Sequence, residues 1–255
     1  GIDMIAETRH QMILDILHKQ RSASVQELAE QLHISESTIR RDLIVLDRQG
    51  KLTKVYGGAM AMNMESSYDS HEPDMDTKEG LYVEEKKRMG QYAASLIRAD
   101  DFVYIDAGTS TIHLVNAIDG DAKKAVYVTN GLLHTRILAR KGCVVYVPAG
   151  RVKPRTEAIV GAAVLNSLRR YNFTKAFMGA NGISIERGFM TPTIEEAELK
   201  AAAIQSSLES WFLADESKFN KICAAGICDL GQANIITNRL PDVRYAEKTL
   251  VKEID

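Results

Sequence analysis

The run Tyr104-Ile105-Asp106-Ala107-Gly108-Thr109-Ser110-Thr111-Ile112-His113-Leu114 gathers the residue types that can hold an anion. A glycine lets the backbone approach a ligand closely, and three hydroxyls follow it. An apolar helical pattern then begins, whose first N–H groups and positive dipole end favour a negative group. Phosphate is the chemistry this run suits. The same residues can also do no more than turn the chain.

Other polar residues could complete such a site. The Asn130 amide both donates and accepts, although Asn130-Gly131 also reads as a turn. Asp215 and Lys218, in ADESKF, offer an acceptor for sugar hydroxyls and a cation for phosphate, or else a surface pair worth little. Arg151, Lys153 and Arg155 form a basic cluster that suits either phosphate recognition or a solvated loop. Glu195 and Glu196 stand in the first turn of a helical pattern, where carboxylates are stabilised with or without a ligand. Lys200 reads as a solvated helix residue, and the tyrosines, methionines and Trp211 as core or surface filler.

Strands must hold these groups, and strand-like runs occur at 102–106, 125–130, 143–150, 175–180, 210–215 and 234–238. Helical patterns fall near 111–118, 132–140, 157–170 and 194–209, after an apolar stripe at Met89, Tyr92, Ala93, Leu96 and Ile97. Apolar strands alternating with helices predict an α/β fold with a parallel sheet covered on both faces. Asp106, Asn130 and Asp215 then all fall at carboxyl ends of strands, where such sheets bind ligands.

The first sixty residues differ. Residues 8–20 place Ile13, Ile16 and Leu17 on one helical face, Ser24 and Glu27 form a capping box, and Ser35 caps a third helix carrying Ile39, Leu43 and Leu46. That helix stops at Gly50, and Lys51–Val55 alternates before Gly57-Gly58, as a β ribbon would. Its apolar stripe leaves Ser37, Thr38, Arg40 and Arg41 on other faces near the amino end, the end that a recognition helix inserts into the major groove. Ser37–Lys54 holds five bases and two acids, a local +3 in a chain of net charge −2, and Lys51 and Lys54 suit contact with the DNA backbone. A solvated basic helix in an interaction module is the alternative.

Residues 61–80 are acidic and aperiodic with one proline, which reads as a linker between residues 1–60 and 81–255. The cysteines, Cys143, Cys223 and Cys228, are odd in number and lack zinc-site spacing, so a reducing cytoplasm is expected, with no metal and no cofactor. No apolar run approaches the roughly 20 residues of a membrane helix, no signal-peptide pattern opens the chain, and Gly1-Ile2-Asp3 before Met4 reads as a cloning remnant.

The stretch SESTIRRDL, with the later leucine and KVYGGA, resembles the winged helix-turn-helix of the DeoR family of bacterial repressors. The family's tail has arginine and histidine where this chain has Lys54 and Tyr56. DAGTST, VTNG, GFMTP, EEA and ADESKF resemble, in order, the family's C-terminal sugar-phosphate sensor. YIDAGTSTIHL, VTNGLLH, GRVKPRTEAIVGAA and KTLVKEI are most similar to the fructose-operon repressors. The resemblance implies a sensor with the fold of ribose-5-phosphate isomerase and glucosamine-6-phosphate deaminase, in which Asp106, Gly108, Thr109, Ser110 and Thr111 match the phosphate-binding stretch. It implies a homo-oligomeric repressor, dimer or tetramer, that leaves operator DNA when a sugar phosphate binds, with fructose 1-phosphate as the expected effector. An isomerase-like enzyme is the other function the fold admits, but a recognition helix argues for a sensor.

Overall fold

A computed structural model describes residues 5–61, the backbone of 67–68, and residues 82–255. The chain divides into two compact units, Gly1–Ser66 and Ser67–Asp255.

In the first unit the order is α1 (Ala6–Gln20), β1 (Ser22–Ser24), α2 (Val25–Leu32), α3 (Glu36–Arg48), β2 (Leu52–Val55) and β3 (Gly58–Ala61). Ile13, Leu17, Leu28, Ile39, Leu43 and Leu46 are buried together, as the helical spacing predicts, although Ile16 stays at the margin. The capping box forms: Glu27 N donates to Ser24 Oγ at 3.1 Å while Ser24 N donates to Glu27 Oε2 at 2.8 Å. β2 and β3 make the expected ribbon, turning at Gly57, whose φ of 78° favours glycine. β1 adds a third, antiparallel strand beside β3, too short for its periodicity to announce it.

One charged group fastens α3. Asp42 is buried on α3, where Arg9 Nη2 donates to its Oδ1 at 2.8 Å and His10 Nε2 lies 3.0 Å away. Burial pushes the Asp42 carboxyl up, but the Arg9 and His10 contacts outweigh it and hold the group below its ordinary value.

In the second unit seven strands form one wholly parallel sheet: β4 (Phe102–Ile105), β5 (Val126–Thr129), β6 (Val144–Tyr146), β7 (Phe173–Gly179), β8 (Ser207–Leu213), β9 (Asn234–Thr237) and β10 (Val251–Glu253). The order is β10-β9-β8-β7-β4-β5-β6, so the winding reverses between β4 and β7. Helices α4 (Val83–Ser95), α5 (Thr109–Ala117), α6 (Leu132–Arg140), α7 (Ala162–Arg170) and α8 (Ile194–Gln205) cover the two faces. Val103 and Ile105 pack with Met89, Leu114 and Leu138 on one face, and Tyr104 with Val164, Leu168 and Ala203 on the other. Burial on both faces is why these strands read as unbroken apolar runs.

Several elements depart from the sequence pattern. The helix expected over 157–170 begins only at Ala162, because Arg151–Val152 and Ile159–Val160 pair as a small hairpin before it. Gly182–Ser184, Gly188–Thr191 and Ala225–Cys228 form a separate antiparallel sheet. The expected linker at 61–80 lies mostly outside the described residues; Ala61 ends β3, and Ser67–Tyr68 pairs in parallel with Lys221–Ile222. Among the described residues no helix is long and apolar enough to cross a membrane.

The Asp42 cluster makes a testable demand. A carboxyl held below its unfolded value stabilises the fold above the unfolded pKa of about 3.9, and that contribution is lost as pH falls through the folded value. Asp42→Asn should therefore destabilise the first unit by about 1–3 kcal/mol at neutral pH, with the gap to wild type closing below about pH 4. Amide exchange of the α3 core, compared at both pH values, checks this.

Candidate functional site

An open cleft of about 710 Å³ lies at the carboxyl ends of β4 and β7, where the strand order reverses. The helices that follow these two strands, α5 and α8, lie on opposite faces, so no crossover helix covers the seam and a ligand can enter. Asp106 directly follows β4, and Gly108 and the first turn of α5 form one wall. Gly108 adopts φ 156° and ψ 163°, a region that glycine occupies, and no side chain caps the helix it precedes. The first N–H groups of α5 are thereby left at the cleft, alongside Thr109 and Ser110.

Behind this wall the loop is heavily tied. Thr111 Oγ1 donates to Asp106 O at 2.7 Å and sits 2.8 Å from His134 Nε2. Lys86, buried on α4, donates to Thr109 Oγ1 at 2.8 Å. An ammonium can only donate, so the Thr109 hydroxyl accepts from Lys86 and its own proton is left for another partner. Lys86 brings positive charge to the rear of the loop.

The floor is a polar cluster. Lys200, from α8, contacts Asp106 Oδ2 and donates to Gly179 O at 2.9 Å, spanning the seam from the end of β4 to the end of β7. Tyr104 Oη, buried, lies 3.3 Å from Asp106 Oδ1 and 3.2 Å from Asn130 Oδ1. Asn130 also accepts from Ala107 N at 2.9 Å and donates through Nδ2 to Ile159 O at 3.1 Å. Burial pushes the Asp106 carboxyl up and Glu196 adds to that, while Lys200 and Tyr104 pull it back. Glu196 accepts from Lys153 Nζ at 3.3 Å and Thr191 Oγ1 at 3.4 Å.

The structure thus brings Asp106, Gly108, Thr109, Ser110, Asn130, Glu196 and Lys218 to one cleft, with Thr111 bracing the loop from behind. Besides Thr111, three expected residues do not line it. Arg151 is exposed and 3.5 Å from Glu195, and Arg155 is exposed; their loop contributes Thr156 instead. The Thr156 hydroxyl is buried without a hydrogen-bond partner among the described residues. Asp215 is buried and accepts from Ser217 N at 2.9 Å, so it caps the short turn that carries Lys218. Lys200 overturns its reading as solvated: it is 6% exposed. Its place four residues after Glu196, one helical turn along the same face, was the signal for it. Tyr104 shares a strand face with Asp106 at a spacing of two, which likewise pointed to it.

A second site lies on the first unit. The Ser35 hydroxyl accepts from Thr38 N at 3.4 Å and contacts the hydroxyls of Ser37 and Thr38 at 3.1 and 3.0 Å, capping α3. Arg40, Arg41, Lys51 and Lys54 are exposed, Arg40 with a 2.7 Å surface contact to Glu36 that contributes little. Of the two acids counted nearby, Asp42 is buried against Arg9, and Asp47 accepts from Lys54 N at 2.9 Å. The exposed surface is therefore more basic than the formal count. Tyr56, where the family's histidine would stand, is fully exposed at the tip of the ribbon.

Each of the two units matches a known family domain. Residues 9–65 match the DeoR-like helix-turn-helix domain, and residues 82–239 the DeoR C-terminal sensor domain. An uncharacterized HTH-type transcriptional regulator of Bacillus subtilis, FruR, is 41% identical over 254 residues, covering 98% of this chain and 99% of that protein. The lactose phosphotransferase system repressor of Staphylococcus epidermidis is 31% identical over 239 residues, covering 92% of this chain and 93% of its own. Ribose 5-phosphate isomerase A of Neisseria gonorrhoeae aligns with a TM-score of 0.40 at 17% identity, over 58% of this chain and 56% of its own. With a DNA-reading module and a sensor module matched in order, the chain belongs to the DeoR family of helix-turn-helix transcriptional repressors.

Proposed function

We propose that the chain represses a sugar-utilisation operon, one for fructose, and is released from its operator by a phosphorylated sugar, fructose 1-phosphate. The observation that carries the effector class is the uncapped amino end of α5 at the cleft, with Lys218 on its rim. Helix N–H groups, hydroxyls and an ammonium suit a phosphate dianion. Asn130, Glu196, Thr156 and the Asp106–Lys200 pair suit hydroxyls, and the unpartnered Thr156 hydroxyl is a polar group awaiting a ligand. The likeness to fructose-operon repressors and to the B. subtilis FruR protein supports the choice of sugar. The S. epidermidis lactose-system repressor keeps another sugar phosphate as the alternative. Two copies reading two half-sites is the natural arrangement on an operator, which requires a homo-oligomer.

A second reading, an aldose–ketose isomerase, draws on the buried Asp106 with its raised carboxyl pKa. An isomerase assay beside an operator gel shift separates the two; turnover without DNA binding would replace the repressor reading.

Calorimetry with fructose, fructose 1-phosphate, fructose 6-phosphate and fructose 1,6-bisphosphate tests the effector. Each charge-assisted hydrogen bond to phosphate contributes about 1.5–3 kcal/mol, so two such bonds place free fructose at least about 100-fold weaker. Affinity should also fall below about pH 6, where the dianion takes up a proton. Equal binding of fructose and its phosphates would remove the phosphate assignment, and preference for another phosphate would overturn only the sugar.

For the DNA site, Arg40→Ala with Arg41→Ala should abolish operator binding while sugar-phosphate binding persists. If both contact phosphates, the salt dependence of residual binding should drop by about two in slope. Unchanged operator affinity would refute the recognition-helix assignment.

A further inference from the structure

His134, on the first turn of α6, is fully buried, and neither recognition nor packing of the sheet explains its polarity. Its Nε2 lies 3.0 Å from Gly108 O and 2.8 Å from Thr111 Oγ1. A carbonyl only accepts, so Nε2 carries the proton and Nδ1 does not. Nδ1 is buried with no partner among the described residues. It faces Gly131, where a Cβ would lie only 2.3 Å away. The histidine thus leaves one nitrogen unsatisfied while the other holds the loop. Burial keeps the ring neutral by lowering its pKa to about 4, against a smaller opposing pull from Gly108 O.

The Gly108 carbonyl has a defined consequence. In a trans peptide the C=O and the following N–H point in opposite directions, so the Gly108 carbonyl, held by His134 together with Ile112 N at 3.2 Å and Thr111 Oγ1 at 3.1 Å, turns the Thr109 N–H away from the core, toward the wall of the cleft. The same segment grips the loop a second time, because Asn130 Oδ1 accepts from Ala107 N at 2.9 Å. Asn130 precedes the extended Gly131 that opens α6, and His134 stands in its first turn, which is closed by Thr135, whose N–H and hydroxyl both donate to Gly131 O at 3.0 and 2.7 Å. One rigid stretch therefore holds the phosphate end of the cleft and presents the amide at its sugar end.

We propose that His134 is a positioning residue that fixes the distance between the phosphate-binding loop and Asn130, and that this distance selects among sugar phosphates by how far the phosphate stands from the ring hydroxyls. The proposal rests on the sugar-phosphate reading of the cleft. A glutamine at 134 places an amide nitrogen near the position of Nε2, whereas an asparagine reaches only as far as Nδ1. The geometry therefore separates the needed atom from mere polarity.

The test uses the full-length chain as His134→Gln, His134→Asn and His134→Leu, each checked for folding by circular dichroism. Amide exchange at Thr109–Ile112 is measured without ligand, and affinities are measured for inorganic phosphate, fructose 1-phosphate and fructose 6-phosphate. His134→Gln should stay within about twofold of wild type in all of these. His134→Asn and His134→Leu should exchange about tenfold faster in the loop and bind phosphate about tenfold more weakly, since one orienting bond to a buried carbonyl is lost. Their discrimination between the two fructose phosphates should contract. Wild-type exchange and discrimination in the folded leucine variant would overturn the proposal, as would equal losses in the glutamine and leucine variants. If the wild type binds none of the three phosphates, the receptor reading falls and the selectivity proposed for His134 falls with it. The exchange data still decide whether the histidine holds the loop.

Discussion

A parallel sheet whose winding reverses has one seam that no crossover covers, and here a single ammonium spans it. Lys200 reaches Asp106 after β4 and the Gly179 carbonyl ending β7. Removing an ammonium and a carboxylate from water costs several kcal/mol per ion before their attraction offsets it, so such a pair is weak evidence of stability. Its value is geometric. The strands on either side of the seam are hydrogen-bonded to each other only as far as Ile105 and Phe177, with Asp106 N donating to Phe177 O at 2.9 Å. Beyond that point Lys200 holds the two chain ends at a fixed separation, and the cleft is the space this leaves.

The charges around that space are distributed unevenly. Asp106 is matched by Lys200, and Glu196 by Lys153. The α5 end presents N–H groups and hydroxyls, with Lys86 one hydroxyl behind them and Lys218 on the rim. For a ligand in this cleft to shift DNA affinity, it must bind the two functional states of the protein with different strengths, whatever its absolute affinity.

What was legible in the sequence was what local periodicity and spacing encode. The capping box, the Ile39–Leu43–Leu46 stripe, the ribbon and six of the main-sheet strands all express a repeat or a cap within a few residues. The strand-to-helix turn at Gly108 was legible because glycine and hydroxyls interrupt the pattern between an apolar strand and an apolar helix. Lys86 and His134 were not, and spacing marked Lys200 and Tyr104 only as face-mates of Glu196 and Asp106, because the roles of Lys86, Lys200, Tyr104 and His134 come from partners 23, 94, 26 and 26 residues away in sequence. Lys86 even interrupts an otherwise apolar stripe, four residues before Gly90, where a charge must have a distant reason to be buried. The basic cluster misled for the opposite reason: Arg151 and Arg155 sit on a hairpin that turns them outward, while the unremarked Thr156 turns in. The final strand, Val251–Glu253, has a lysine and a glutamate in place of an apolar run, so nothing in its pattern marked it as sheet.

The state of Asp106 bears on whether this fold senses or catalyses. A general base must direct a free lone pair at the proton it removes, within hydrogen-bond reach of the substrate carbon. Here Oδ2 is held by Lys200 and Oδ1 faces the Tyr104 hydroxyl, so both oxygens are engaged inside the protein. Burial raises the carboxyl's pKa, which would suit a base, yet Lys200 opposes that rise by favouring the ionised form. A pair satisfied in this way is rigid and already spent, which suits a wall against which a sugar is measured. Glu196 is similarly occupied by Lys153 and Thr191. With both cleft carboxylates engaged, the arrangement favours recognition of a bound sugar phosphate over its conversion, and a receptor requires nothing more of them.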